Sequence, residues 1–202
     1  MSSPNRNLTG NGEALERFNT LWTEARKSEP WEADAMTLAT VSRDGQPRAR
    51  TVLLKRADGD GFVFYTNYES RKGADLAANP HAALCFFWRT LRRQVTVEGR
   101  VNRLPPAQSD DYFASRHRLS KLSAWASRQS RPLEGREILD ERIKQVEEQY
   151  GEGDIPRPPH WGGYVLEPAM IEFWSPGEGR LNDRERYVRD ADGAWQFELL
   201  YP

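Results

Sequence analysis

Cysteine is almost missing from this 202-residue chain and histidine is scarce, with one Cys and three His. A lone thiol, Cys85, excludes an internal disulfide framework and a cysteine-rich zinc site. It lies in the apolar run Ala82–Trp88 and reads as a buried strand thiol. His81, His117 and His160 read as turn or surface residues without metal-ligand spacing, so no metal is expected. Net charge is missing too: 29 Lys and Arg against 30 Asp and Glu leave −1. That balance speaks against a surface coated for nucleic acid. No run approaches the roughly 18 apolar residues of a membrane span, and the start MSSPNRNLTGNGE has no signal-peptide core. A soluble, cytoplasmic protein with no membrane partner is expected. The nucleophile elbow Gly-x-Ser-x-Gly, the phosphate loop ending in Gly-Lys and a dinucleotide Gly-x-Gly-x-x-Gly after a parallel strand are all absent. The common hydrolase and nucleotide-hydrolysing classes lose their best evidence.

Apolar residues at 38%, with seven Trp, are enough for one core. Residues 1–11 are too polar to order themselves and read as a flexible arm, leaving a single domain over 12–202. Leu15, Phe18, Leu21, Trp22 and Ala25 recur at helical spacing and predict a helix from Glu13 to about Ser28. Met36–Val41, Arg48–Lys55 and Gly61–Thr66 alternate as strands around two hairpin signals and predict an antiparallel meander. Ser70 caps a short helix through Leu76, and strands Ala82–Trp88 and Gln94–Leu104 follow. A helical excursion over about 106–150 comprises Pro106–Ser115, Lys121–Ala126 and Leu133–Tyr150. The chain then returns to strands at Trp161–Leu166, Ile171–Trp174, Arg186–Arg189 and Trp195–Leu200. The fold class is mainly β with peripheral helices, a barrel or a sandwich.

With few acids or bases to choose from, the remaining signal is cations set among strands and aromatics. Arg48 and Arg50 share a strand face, with Lys55 on the other unless a bulge intervenes. Arg71 and Lys72 open a helix, where they form either a phosphate subsite or merely a solvated pair; on these two residues alone the solvated pair is preferred. Between Arg116 and Arg136 six cations face Glu134 alone. Interleaved with Tyr112, Ser120, Gln129 and Ser130, they suit a small phosphorylated ligand. Single-stranded nucleic acid is the rival reading, and the acidic segment Glu134–Asp154 opposes it by repelling a long polyanion.

Several blocks, in order over residues 35–202, resemble one family. They are Arg50-Thr51-Val52-Leu53-Leu54-Lys55, Phe64-Tyr65-Thr66-Asn67, Ser70-Arg71-Lys72, Gln94, Tyr112-Phe113-Ala114-Ser115-Arg116, Gln129-Ser130, Trp161-Gly162-Gly163, and Ile171-Glu172-Phe173-Trp174 with Arg180-Leu181-Asn182-Asp183-Arg184. The chain looks like a pyridoxine/pyridoxamine 5′-phosphate oxidase. The resemblance implies an FMN-binding split β-barrel that works as a homodimer, with each flavin in the subunit interface. It implies oxidation of a small phosphorylated pyridine, pyridoxamine or pyridoxine 5′-phosphate, to pyridoxal 5′-phosphate, with molecular oxygen as acceptor and hydrogen peroxide released. By similarity Arg50, Thr51, Val52, Leu53, Leu54, Lys55, Tyr65, Thr66, Arg71, Lys72, Gln94, Gln129, Ser130, Trp174 and Arg184 would hold FMN. Lys55, Tyr112, Arg116 and Ser120 would hold substrate, its phosphate on the last three, while Arg180 and Asn182 would lie over the reacting side in the catalytic role. The family has His where this chain has Asn182, an amide that hydrogen-bonds but does not titrate near neutrality. Hydride transfer to a flavin needs two stacked rings and one oriented C–H bond more than proton donors, which fits the scarcity of acids. Alternatives are a related flavin oxidase of another planar aromatic, or a flavin- or B6-binding protein without turnover.

Overall fold

Helical periodicity at one end of the chain and alternating apolar residues after it produce a helix that fills a curled sheet. The computed structural model describes residues 11–202; the expected arm over residues 1–11 lies outside them except for its last residue. Helix α1 (Asn11–Ser28) precedes strands β1 (Ala35–Val41), β2 (Pro47–Leu53), β3 (Arg56–Asp58) and β4 (Gly61–Asn67). Then come α2 (Arg71–Ala78), β5 (His81–Trp88) and β6 (Arg93–Arg103). Three helices, α3 (Pro106–Ala114), α4 (Arg118–Ala126) and α5 (Arg136–Tyr150), make the expected excursion. The chain closes with β7 (Trp161–Ser175), a single turn Glu178–Arg180, β8 (Asp183–Arg189) and β9 (Trp195–Leu199).

All strand pairs are antiparallel, in the order β2-β1-β5-β6-β7-β4-β3, with β8 on β7 and β9 on β8. The expected fold class, a mainly β split barrel with peripheral helices, is the one observed. Two expectations are corrected. The meander breaks after β2: Leu54 is fully buried, its N–H bonds to the carbonyl of Asp34, and the next N–H, of Lys55, bonds across to Val63. Leu54 thus hands the chain from the β1 edge to β4, which pairs with β7 and not with β2. Secondly, the two strands expected at Trp161–Leu166 and Ile171–Trp174 are one strand of fifteen residues. One edge of β7 runs along β6; the other pairs β4 over its first half and β8 over its second, with Pro168, which has no N–H to donate, near the change of partner.

The inner face carries Met36 and Leu38 of β1, Leu84, Phe86 and Trp88 of β5, and Val95 and Val97 of β6, with strand alternation pointing each inward. Phe18 of α1 is wholly buried, its ring within 4.8 Å of Phe62 and 5.0 Å of Phe86. A smaller core of Phe113, Leu122, Ile155 and Trp161 seats the helical excursion on the sheet, with Ile143 and Val146 of α5 against it. The third residue expected on that helical face, Ile138, stays exposed.

Candidate functional site

Strand β2, the Lys55 corner, β4, α2, α3 and α4 converge on a cavity of about 590 Å³. Of the residues the sequence singled out, Arg50, Thr51, Val52, Leu53, Lys55, Tyr65, Thr66, Lys72, Tyr112, Arg116, Ser120 and Gln129 line it. The break at Leu54 explains Lys55: once the chain leaves the β1 edge, strand alternation no longer sends that side chain away from Arg50.

One end of the cavity is built on α2. Ser70 caps this helix by accepting from the Gly73 N–H, as its position before the helix predicts. Lys72 is 8% exposed and donates to Gln129 Oε1 at 2.5 Å and to Ser70 Oγ at 3.0 Å. Burial, and then the charge of nearby Arg50, push its ammonium down to about 8. The solvated-pair reading of Arg71 and Lys72 is therefore half right: Arg71 is exposed and outside the cavity wall, Lys72 is not. Arg50 is pinned to β1, its Nη1 donating to the Leu38 carbonyl at 3.1 Å and to Thr40 Oγ1 at 2.6 Å.

The other end is aromatic. Tyr65 and Tyr112 stack with centroids 3.9 Å apart, and Trp161 lies parallel at 5.5 Å from Tyr65. Arg116 sits 4.7 Å over the Trp161 ring, and its Nη1 is buried without a hydrogen-bond partner. Desolvation holds its pKa below the usual arginine value. A buried guanidinium donor left unpaired beside an open cavity is a ready anion site.

The remaining predicted residues stand elsewhere. Leu54 lies in the core, and Ser130, exposed at φ 71°, is next to Gln129 but outside the cavity wall. Gln94 faces Trp174 across β6 and β7, and Trp174 faces Arg184 across β7 and β8, so these three form a row. Arg184 grips Glu172 through two bonds of 2.8 and 3.1 Å. Arg180 and Asn182 follow on the exposed turn before β8, where Asn182 Oδ1 accepts the Gly177 N–H at 3.2 Å. That row lines no part of the cavity, and Gln94 and Trp174 border a separate pocket instead: Thr66 is opposite Gly162 whereas Gln94 is opposite Trp174, twelve positions further along β7. At about 3.3 Å per residue this is a contour of roughly 40 Å. Sequence reasoning passed over Asp75, buried behind Arg50; its place one turn after Lys72 was the available signal.

Residues 22–150 match the model of the pyridoxamine 5′-phosphate oxidase family, and residues 161–202 match the pyridoxine 5′-phosphate oxidase C-terminal dimerisation region. The chain belongs to the pyridoxamine 5′-phosphate oxidase family. A pyridoxine/pyridoxamine 5′-phosphate oxidase of Myxococcus xanthus is 51% identical over 93% of this chain and 91% of its own length. The protein of that name from Cupriavidus metallidurans is 53% identical over 93% and 88%. Among solved structures, PhzG from Burkholderia lata, in complex with tetrahydrophenazine-1-carboxylic acid, superposes with a TM-score of 0.87 at 29% identity, covering 100% of this chain and 98% of that one. Within the oxidase family, then, the row at the far end of β7 lies inside the dimerisation region except for Gln94, and the cavity lies in the oxidase region except for Trp161. No helix among the described residues is long and apolar enough to cross a membrane.

Proposed function

We infer that this protein is an FMN-dependent oxidase that converts pyridoxamine 5′-phosphate and pyridoxine 5′-phosphate to pyridoxal 5′-phosphate, with molecular oxygen taking the electrons and hydrogen peroxide released. The observation that carries the reading is one cavity with two separate cationic ends, Arg50 with Lys72 and Arg116 alone. Cofactor and substrate are both phosphate esters, so the reaction asks for two dianion subsites flanking a flat apolar space.

The residues present fit FMN. Lys72, Arg50 and the first N–H groups of α2 would hold its phosphate, with Arg71 adding charge from outside. Thr66, Gln129 and the β2 backbone at Thr51–Leu53 would take the polar edge of the ring system. When bound, FMN supplies the two-electron acceptor for the hydride that leaves the substrate carbon bearing the amine or hydroxyl. The chain's part is placement. Arg116, Tyr112 and Ser120 hold the substrate phosphate, Lys55 its pyridine end, and the Tyr65 and Tyr112 rings exclude water from one wall.

Gln94, Trp174, Arg180, Asn182 and Arg184 complete the site from a second copy. Gln94 and Trp174 border a pocket separate from their own protomer's cavity, at the other end of β7, and none of the five lines that cavity. A homodimer with flavin between subunits solves this, each copy lending its far end to the other.

The test is to purify the protein, read the visible spectrum for flavin, and follow oxygen uptake with pyridoxamine 5′-phosphate beside pyridoxamine. Strong preference for the phosphorylated amine is expected; a yellow protein inert with both sinks the substrate assignment. A second reading, oxidation of another planar aromatic, rests on Asn182 in place of the family's His, and turnover of a reduced tricyclic acid in preference to B6 phosphates would favour it.

A further inference from the structure

Among the described residues, Asp75 is the one buried carboxylate beside the phosphate end of the cavity, and it lies outside the cavity wall. It is 2% exposed and lies on α2 one turn after Lys72. Its Oδ2 accepts the Thr40 hydroxyl at 2.8 Å and lies 3.5 Å from Arg50 Nη2; its Oδ1 accepts from Arg48 Nη1 at 2.6 Å. Thr40 Oγ1 in turn receives Arg50 Nη1, so a carboxylate and a hydroxyl hold the guanidinium from behind. Arg50 has five donor hydrogens. Two on Nη1 go to Leu38 and Thr40 and one on Nη2 goes to Asp75, which leaves Nε–H and one Nη2–H without a partner among the described residues.

The charges need such an anchor. Arg48 and Arg71 both press on the Arg50 charge, and Arg50 presses on Lys72; Asp75 is the opposite charge that acts on Arg50. Among the described residues four cations converge here, Arg48, Arg50, Arg71 and Lys72, with one buried anion, Asp75. We propose that Asp75 is the positioning residue of the flavin-phosphate subsite: through Oδ2 and the Thr40 hydroxyl it aims Arg50 into the cavity while making no contact with the cofactor itself. This rests on the FMN reading above.

Two effects of removing the carboxylate oppose each other. Lost aim weakens phosphate binding, whereas an added net positive charge strengthens it, so a single variant does not separate them and a double-mutant cycle does. The measurement is the dissociation constant of FMN, with riboflavin as the phosphate-free probe, for wild type, Asp75→Asn, Arg50→Ala and the pair. Asp75→Asn is expected to raise the FMN constant about tenfold, the scale of one charge-assisted hydrogen bond, and less than about twofold once Arg50 is gone. Riboflavin binding is expected to stay level throughout. Tighter FMN binding, an equal factor in both backgrounds, or parallel loss of riboflavin overturns the positioning role. Should Asp75→Asn fail to fold, Thr40→Val cuts the same brace more gently and must show the same dependence on Arg50. Wild-type protein that binds no FMN overturns the flavin reading, and this proposal with it; wild type that binds FMN but shows no coupling overturns this proposal alone.

Discussion

Arg116 carries its charge against burial, with a donor unpaired among the described residues. Such a group is costly until an anion arrives, so its contribution belongs to binding and not to folding. Arg116→Ala is expected to raise KM for pyridoxamine 5′-phosphate by about 10- to 100-fold with flavin content unchanged, the range of one to two charge-assisted bonds; steady-state kinetics beside an absorbance measure of flavin checks it. Lys72 differs because its pKa already sits near 8. The unfolded chain holds that proton up to about 10.4, so between about pH 8 and 10 the unfolded state binds more protons and Lys72's penalty to folding shrinks as pH rises. Cofactor-free wild type is therefore expected to gain stability relative to Lys72→Met across that window, measured by urea unfolding at pH 7.5 and 9.5. FMN reverses the sense. A phosphate dianion favours the ammonium, so FMN affinity is expected to fall as pH rises above 8. A pH-independent constant would show that Lys72 does not meet the phosphate.

Among the elements, α1 and α2 do different jobs. Helix α1 supplies core, and Phe18 at its centre touches aromatic side chains from β4 and β5. Phe18→Ala is expected to cost about 3–5 kcal/mol in denaturant unfolding, since the hole is walled by rings that cannot collapse into it. Helix α2 is short and is held by its cap and by Asp75, so it presents charge and contributes little apolar area. Both helices were legible in the sequence, one from its 3.6-residue period and the other from Ser70 ahead of it. The strand breaks were not. Arg48–Lys55 reads as one continuous alternating run, and only the pairing of Lys55 with Val63 ends it early. The join of Trp161–Leu166 to Ile171–Trp174 escaped for a related reason: Glu167 and Pro168 look like a turn locally, while β6 on the flank keeps the backbone extended through them.

At the scale of the molecule, the two halves of the candidate site lie at opposite ends of β7. If they meet only between copies, variants in different halves must complement each other. Arg116→Ala and Arg180→Ala homodimers, assayed at pyridoxamine 5′-phosphate well below the raised KM so that each is nearly silent, are expected to regain about a quarter of wild-type activity when unfolded together and refolded as an equal mixture, because half the dimers are mixed and each holds one intact site. No recovery would place both residues in a site made by one chain. The order of residues along the chain carries the family, the sheet-rich fold with its helical excursion, and the cations and aromatics from which a phosphate site can be made, because ordered blocks and hydrophobic periods are local properties. Tertiary structure alone decided which cations share a cavity. Lys55 joins Arg50 only because Leu54 is drawn into the core, Lys72 loses water while Arg71 keeps it, and Asp75 reaches Arg50 across two elements. Desolvation and long-range contact depend on what the rest of the chain packs against, and no window of sequence contains that.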